Sequence, residues 1–251
     1  MKTFGRVLTA MITSFNEDGS VNIENSVAIA EHLLNHGSDG LVVCGTTGEN
    51  PTISRESKIT LFKAIAETCG DKGTIIANVG SNDTKGSVDF VKEVSTIPGI
   101  DGLLVVVPYY NKPNQQGQYL HFKSIAEATT LPIMVYNVPG RVGTGIFPAT
   151  LARLHKEYPH ICAIKEASGN LMIASEIKRL MPGEDFMVYS GDDGLTLPML
   201  SVGACGVVSV VSHVAGKDMN AMIQAYESGH NYEAIRIYQA LSEIIKAMFI
   251  T

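Results

Sequence analysis

Eight short apolar runs recur along this chain at intervals of about 30 residues, and amphipathic segments separate them. The runs are Arg6–Thr13, Asp39–Gly45, Gly73–Gly80, Asp101–Tyr109, Leu131–Val138, Ile161–Ala167, Phe186–Asp192 and Cys205–Val211. They are mostly continuous rather than alternating, as in parallel strands covered on both faces. Between them the apolar residues fall at helical spacing, as in Asn22–Gly37, where Gly37 is placed to end the helix, and in Ser54–Gly70, where Ser54 is placed to cap it and Ser57 is a poorer capping-box partner. Eight strand–helix units in succession predict a (β/α)8 TIM barrel over residues 1–228. A doubly wound open sheet is the alternative, but no glycine-rich phosphate turn follows the first run. Residues 229–251 carry a further apolar stripe (Ala234, Ile237, Leu241, Ile244, Ile245, Met248) and read as a ninth helix, the start of a C-terminal helical region.

Composition removes several classes of function. The net charge is −6, which offers no electrostatic footprint for nucleic acid or an anionic membrane surface. No apolar run has the length of a membrane span, and the N-terminal stretch reads as a strand rather than a signal peptide. Cys44, Cys69, Cys162 and Cys205 are scattered without a CxxC, and the histidines lack ligand spacing. This fits free thiols in a reducing cytoplasm and no metal site.

In such a barrel the chemistry lies at the C-terminal ends of the strands. Polar and aromatic groups gather there: GTTGEN (Gly45–Asn50), PYYNKP (Pro108–Pro113), YNVPGR (Tyr136–Arg141), Lys165–Glu166 and SGDD (Ser190–Asp193). The GTTGEN turn offers two hydroxyls, Thr46 and Thr47, and main-chain N–H groups suited to a carboxylate; a plain strand-to-helix turn is the alternative. Lys165 ends an apolar strand. It is either solvated at the rim or turned inward, where desolvation frees its amine to attack a ketone. Strand alternation then sends Glu166 toward the helices. Tyr136 is either a proton carrier or a core tyrosine. Arg141, on a loop after Pro139–Gly140, either grips a carboxylate or lies on the surface.

The motifs GTTGE, PYYNKP, YNVPGR, IKEASGN and YSGDD, in this order and spacing, closely resemble the dihydrodipicolinate synthase family. The GTTGE turn and the lysine are shared with the wider pyruvate-aldolase superfamily, including N-acetylneuraminate lyase and 2-keto-3-deoxygluconate aldolase. The resemblance implies that Lys165 forms a Schiff base with pyruvate, and that Thr46, Tyr136 and Tyr110 form a proton relay, Tyr110 reaching in from a neighbouring subunit of a homo-oligomer, a dimer or tetramer. It implies that Thr47 holds the pyruvate carboxylate, that Arg141 receives the carboxylate of aspartate semialdehyde, and that the main chain near Gly191 and Val208 lines the pocket. No metal or organic cofactor is then required, because the lysine is the electron sink. Family members continue some forty residues further, so the chain resembles a truncated version whose helical region is incomplete. Some relatives are inhibited by lysine. The corresponding places here are Arg55, Lys58 and Gly86, with Asn82 and Tyr109 retained, and two cations there imply weak or absent lysine inhibition. A different acceptor aldehyde, or a catalytically silent barrel that binds a keto acid, are the other functions compatible with these residues.

Overall fold

The structure, a computed structural model, describes residues 4–183 and 185–250. Residues 1–3 of the N-terminal stretch and Thr251 lie outside the described residues. All eight apolar runs form strands: β1 Val7–Ala10, β2 Gly40–Val43, β3 Thr74–Asn78, β4 Gly102–Val106, β5 Ile133–Asn137, β6 Ile161–Glu166, β7 Met187–Ser190 and β8 Gly206–Ser209. Each strand pairs in parallel with the next, and β8 returns to pair with β1, closing the barrel. An open doubly wound sheet is therefore excluded. The strands are shorter than the apolar runs because the ends of the runs leave the ladder as rim turns.

The helices are α1 Ile23–Asn35, α2 Arg55–Cys69, α3 Thr84–Val94, α4 Gln115–Ala126, α5 Pro139–Val142, α6 Pro148–Glu157, α7 Leu171–Leu180, α8 Thr196–Ser201, α9 Ser212–Glu227 and α10 Asn231–Ala247. Their ends follow local chemistry. The Ser54 hydroxyl accepts from the Ser57 N–H at 3.1 Å to cap α2 and donates to the Ser57 hydroxyl at 3.1 Å. His36 closes α1, and Gly37 follows at φ +108°, a conformation that suits glycine. One element differs from its sequence reading. The segment after β5, read as a loop, is the one-turn helix α5, begun by Pro139 at a position where a missing N–H costs nothing and ended by Gly143 at φ +78°.

Pairing register fixes which side chains face the barrel axis, because paired residues on neighbouring strands point the same way. Leu8, Val42, Ile76, Leu104, Met134, Tyr136, Ala163, Lys165 and Val208 share the inner face. Outside, α10 lies along α9, with Ala234 and Leu241 buried and Ile237, Ile244, Ile245 and Met248 packed beside them. Burial of that stripe accounts for the helix.

Barrel closure has a steric signature at Gly206, the first residue of β8, where a Cβ would run into the main-chain carbonyl of Arg6. Gly206→Ala is expected to destabilise the protein by about 1–3 kcal/mol. Gly140→Ala, at a position with open space around it, should change stability by about 0.5 kcal/mol or less. Urea unfolding midpoints check this, and equal midpoints for the two variants would contradict the described approach of β8 to β1.

Candidate active site

Strand β6 carries the site because, past a register shift at its start, it pairs residue for residue with β5 and β7 from Ala163 to Glu166. Its six residues are all buried, so a side chain there faces either the barrel axis or the helices. Glu166 takes the outer side. Its carboxylate accepts from Asn137 Nδ2 at 2.7 Å and from the Ser168 N–H at 2.6 Å. The Asn137 side-chain oxygen in turn accepts from the Ile146 N–H at 3.1 Å. Lys165, one residue earlier, points inward and is only 6% exposed.

Burial is the largest influence on Lys165 and pulls its amine from the ordinary lysine range down to about 8. The Asp193 carboxylate opposes that shift, and the Arg141 guanidinium adds to it. Among the described residues no hydrogen bond or ion pair engages the amine; its near neighbour is the Tyr136 ring, with the nitrogen 4.4 Å from the centroid. The solvated-rim reading of Lys165 is thus excluded, and the lowered pKa makes the neutral amine, the nucleophilic form, more available near neutral pH than in an ordinary lysine.

Tyr136 pairs with Lys165 across the β5–β6 ladder. Burial raises its phenol pKa, the Thr46 hydroxyl and then Arg141 act to lower it, and the group stays a protonated phenol at neutral pH. Thr46 belongs to the turn after β2, which is locked from three sides. Asn78 Nδ2 donates to the Cys44 carbonyl at 2.8 Å, Thr13 Oγ1 donates to the Gly48 carbonyl at 2.8 Å, and Cys44 and Glu49 adopt φ +55° and +57°. Such backbone costs energy unless its surroundings enforce it. The main-chain N–H groups of Thr46 and Thr47 have no acceptor among the described residues. Two fixed, unpaired donors beside hydroxyls suit a carboxylate.

Arg141, on α5, lines a cavity of about 290 Å³ together with Thr46, Asn78, Tyr109 and Tyr136. Its guanidinium is exposed and has no ion pair among the described residues. Lys165 does not line this cavity; Tyr136 lines it and also neighbours the Lys165 amine. Gly191 lies against the lysine stem, since a Cβ there would meet Lys165 Cγ at 3.1 Å, and its N–H donates to the Glu166 carbonyl at 2.8 Å. Val208 is buried on the inner face of β8. Tyr110 is not brought to the cavity of its own chain. It is 87% exposed at φ +71°.

Two residues of the rim went unassigned in the sequence. Asn78 ends β3 as a polar residue after an apolar run, the same signal that singled out Lys165. Asp193 lies in SGDD and is buried. Its carboxylate accepts from Ser209 Oγ at 2.5 Å and from the Val210 and Val211 N–H groups at 2.9 and 3.2 Å, fixing the turn after β8.

Residues 3–251 match the dihydrodipicolinate synthetase family. The chain is 51% identical over 248 residues to the 4-hydroxy-tetrahydrodipicolinate synthase of Desulforamulus reducens, covering 99% of this chain and 83% of that protein. Among solved structures, dihydrodipicolinate synthase from Bacillus anthracis superposes with a TM-score of 0.95 at 42% identity, over 100% of this chain and 85% of that one. The enzyme from Cyanidioschyzon merolae, solved with lysine bound, gives 0.96 at 42% identity, over 99% and 84%.

The buried amine has a measurable cost. Because its pKa is lower in the native than in the unfolded chain, the unfolded state binds more protons between pH 8 and 10.5, and stability rises with pH across that window. Below about pH 8 the whole penalty remains. Lys165→Met should therefore be more stable than the parent at pH 7, by up to about 3 kcal/mol, with the difference fading toward pH 10.5. Thermal melts across that range test this; a gain independent of pH would contradict it.

Proposed function

The chain belongs to the dihydrodipicolinate synthetase family, and from that premise we propose that it condenses pyruvate with L-aspartate 4-semialdehyde to 4-hydroxy-tetrahydrodipicolinate, in lysine and diaminopimelate biosynthesis. The observation that carries the proposal is Lys165, an unpaired amine with a lowered pKa, held inside the barrel beside a protonated tyrosine.

The neutral Lys165 amine adds to the pyruvate ketone, and loss of water gives a protonated imine. The Thr46 and Thr47 N–H groups hold the pyruvate carboxylate, and Tyr136 with Thr46 moves the protons of addition and dehydration. The imine withdraws electrons from the adjacent methyl carbon, which loses a proton and becomes an enamine. The enamine carbon attacks the aldehyde of the semialdehyde, whose carboxylate is gripped by Arg141. The amino group of the adduct then attacks the imine carbon, closing a six-membered ring and releasing the Lys165 amine. No electrons are gained or lost overall, so the sequence of steps requires no redox partner.

Arg141 is what favours this acceptor over a sugar aldehyde, which needs hydroxyl recognition at the cavity mouth. A steady-state assay with pyruvate and a panel of acceptors (aspartate semialdehyde, glyoxylate, glyceraldehyde, N-acetylmannosamine) tests the assignment. Turnover should be fastest with aspartate semialdehyde. Arg141→Ala should raise the KM for that acceptor about tenfold or more, the loss expected for one charge-assisted contact. Preference for another acceptor would support a different aldolase, and no turnover with any would support a silent barrel.

Tyr110 completes the relay from a second copy of the chain in a homo-oligomer. Its solvent exposure and left-handed backbone support that role, since a tyrosine held away from its own core is available to a neighbour. The four free cysteines support a cytoplasmic setting. A complementation experiment tests the crossing. Tyr110→Phe and Lys165→Ala should each lose activity, about a hundredfold or more for the former. Mixed and reassembled, the two variants should recover activity, because hybrid oligomers contain some sites with both groups intact. Failure to recover activity from mixed oligomers of demonstrated hybrid composition would place Tyr110 outside the shared site.

A further inference from the structure

Asn78 ends β3 on the inner face of the barrel, paired with Leu104, which also faces the axis. It is buried, and it lines the cavity that Thr46, Tyr136 and Arg141 share. One end of its amide is committed, since Nδ2 donates to the Cys44 carbonyl at 2.8 Å. A main-chain carbonyl can only accept, so this bond fixes the orientation of the whole amide, nitrogen toward the turn and oxygen away from it. Oδ1 receives no donor among the described residues. It is not sealed in the core either: the fully enclosed, unpartnered side-chain atoms among the described residues are Gln118 Oε1 and His121 Nε2. The open side of Asn78 is the cavity it lines.

In the condensation proposed above, the acceptor brings three groups to this cavity: an aldehyde, a carboxylate and an α-ammonium. The aldehyde meets the enamine on Lys165, and the Arg141 guanidinium suits the carboxylate. The ammonium still needs an acceptor, and no Asp or Glu lines the cavity among the described residues. Asn50 also contributes an amide to the lining, but it is half-buried and its side chain makes no hydrogen bond among the described residues, so nothing sets its orientation. Asn78 Oδ1 is the acceptor whose direction is set in advance.

We infer that Asn78 is a specificity-determining residue for the acceptor, its Oδ1 receiving an N–H of the α-ammonium while Arg141 holds the carboxylate on the same carbon. The assignment rests on the proposed condensation. A neutral oxygen suits the task. A carboxylate there would favour the charged ammonium and retain its proton, whereas the amine has to lose that proton before it closes the ring.

Succinate semialdehyde, the same acceptor without its amino group, separates this contact from the turn that Asn78 also holds. It keeps the aldehyde and the carboxylate but cannot close the ring, so it competes with aspartate semialdehyde. The readout is its Ki divided by the KM for aspartate semialdehyde, with the KM for pyruvate measured alongside. Asn78→Ala should raise the aspartate semialdehyde KM, and so lower the ratio, about tenfold or more, as loss of a charge-assisted hydrogen bond does. Asn78→Val is the second apolar variant should the alanine melt early, because valine suits a strand. Asn78→Asp keeps an oxygen for the ammonium and loses the N–H for Cys44. It should hold the ratio at or above the parent value, even where the pyruvate KM rises. Arg141→Ala weakens both acceptors together and should leave the ratio unchanged, as should Asn50→Ala. A ratio unmoved in Asn78→Ala and Asn78→Val, an equal fall in Asn78→Asp, or a fall in Asn50→Ala would each overturn the role of Asn78 and leave the condensation standing. No turnover of aspartate semialdehyde by the parent chain would overturn the condensation, and this contact with it.

Discussion

Desolvation of one ammonium group governs the rest of this molecule. An amine held in the core is costly as a cation and reactive as a neutral group, and the barrel imposes that choice on Lys165. Closure of eight parallel strands removes water from the axis; the regular register of β6 from Ala163 to Glu166 then turns the lysine inward and the adjacent carboxylate outward. Had Glu166 shared the inner face, an ion pair would have restored the ordinary lysine pKa. Instead it is consumed by Asn137 and the Ser168 N–H, and the remaining acid felt by the amine, Asp193, is itself occupied by three donors. Among the described residues no ion pair engages the Lys165 amine.

The same rim is arranged for anions. Thr46 and Arg141 line one cavity, and among the described residues neither the Thr46 and Thr47 N–H groups nor the Arg141 guanidinium has a partner. Arg141 also acts to lower the pKa of both Lys165 and Tyr136.

Much of this was legible in the sequence because strand chemistry is local. Continuous apolar runs marked all eight strands, and polar or aromatic residues at the ends of several of them marked the rim, as Lys165 and Tyr136 illustrate. The same signal at Asn78 passed unassigned because its function is to hold another turn, through a hydrogen bond 34 residues distant in sequence. Asp193 escaped assignment for a similar reason: its partners belong to β8 and the turn beyond it. Arg141 was read on a loop because four residues of helix leave no periodicity to detect. The placement of Tyr110 in solvent follows from a left-handed backbone that nothing in the residue type announces. Contacts set by closure of the barrel, rather than by neighbours in the chain, were the ones sequence pattern could not supply.

The direct test of the neutral, nucleophilic lysine is chemical trapping. Borohydride added to the protein with pyruvate should fix one reduced adduct per chain, and peptide mass spectrometry should locate it on Lys165, with none formed in the absence of pyruvate. An unmodified Lys165, or an adduct on any other lysine, would contradict the central claim.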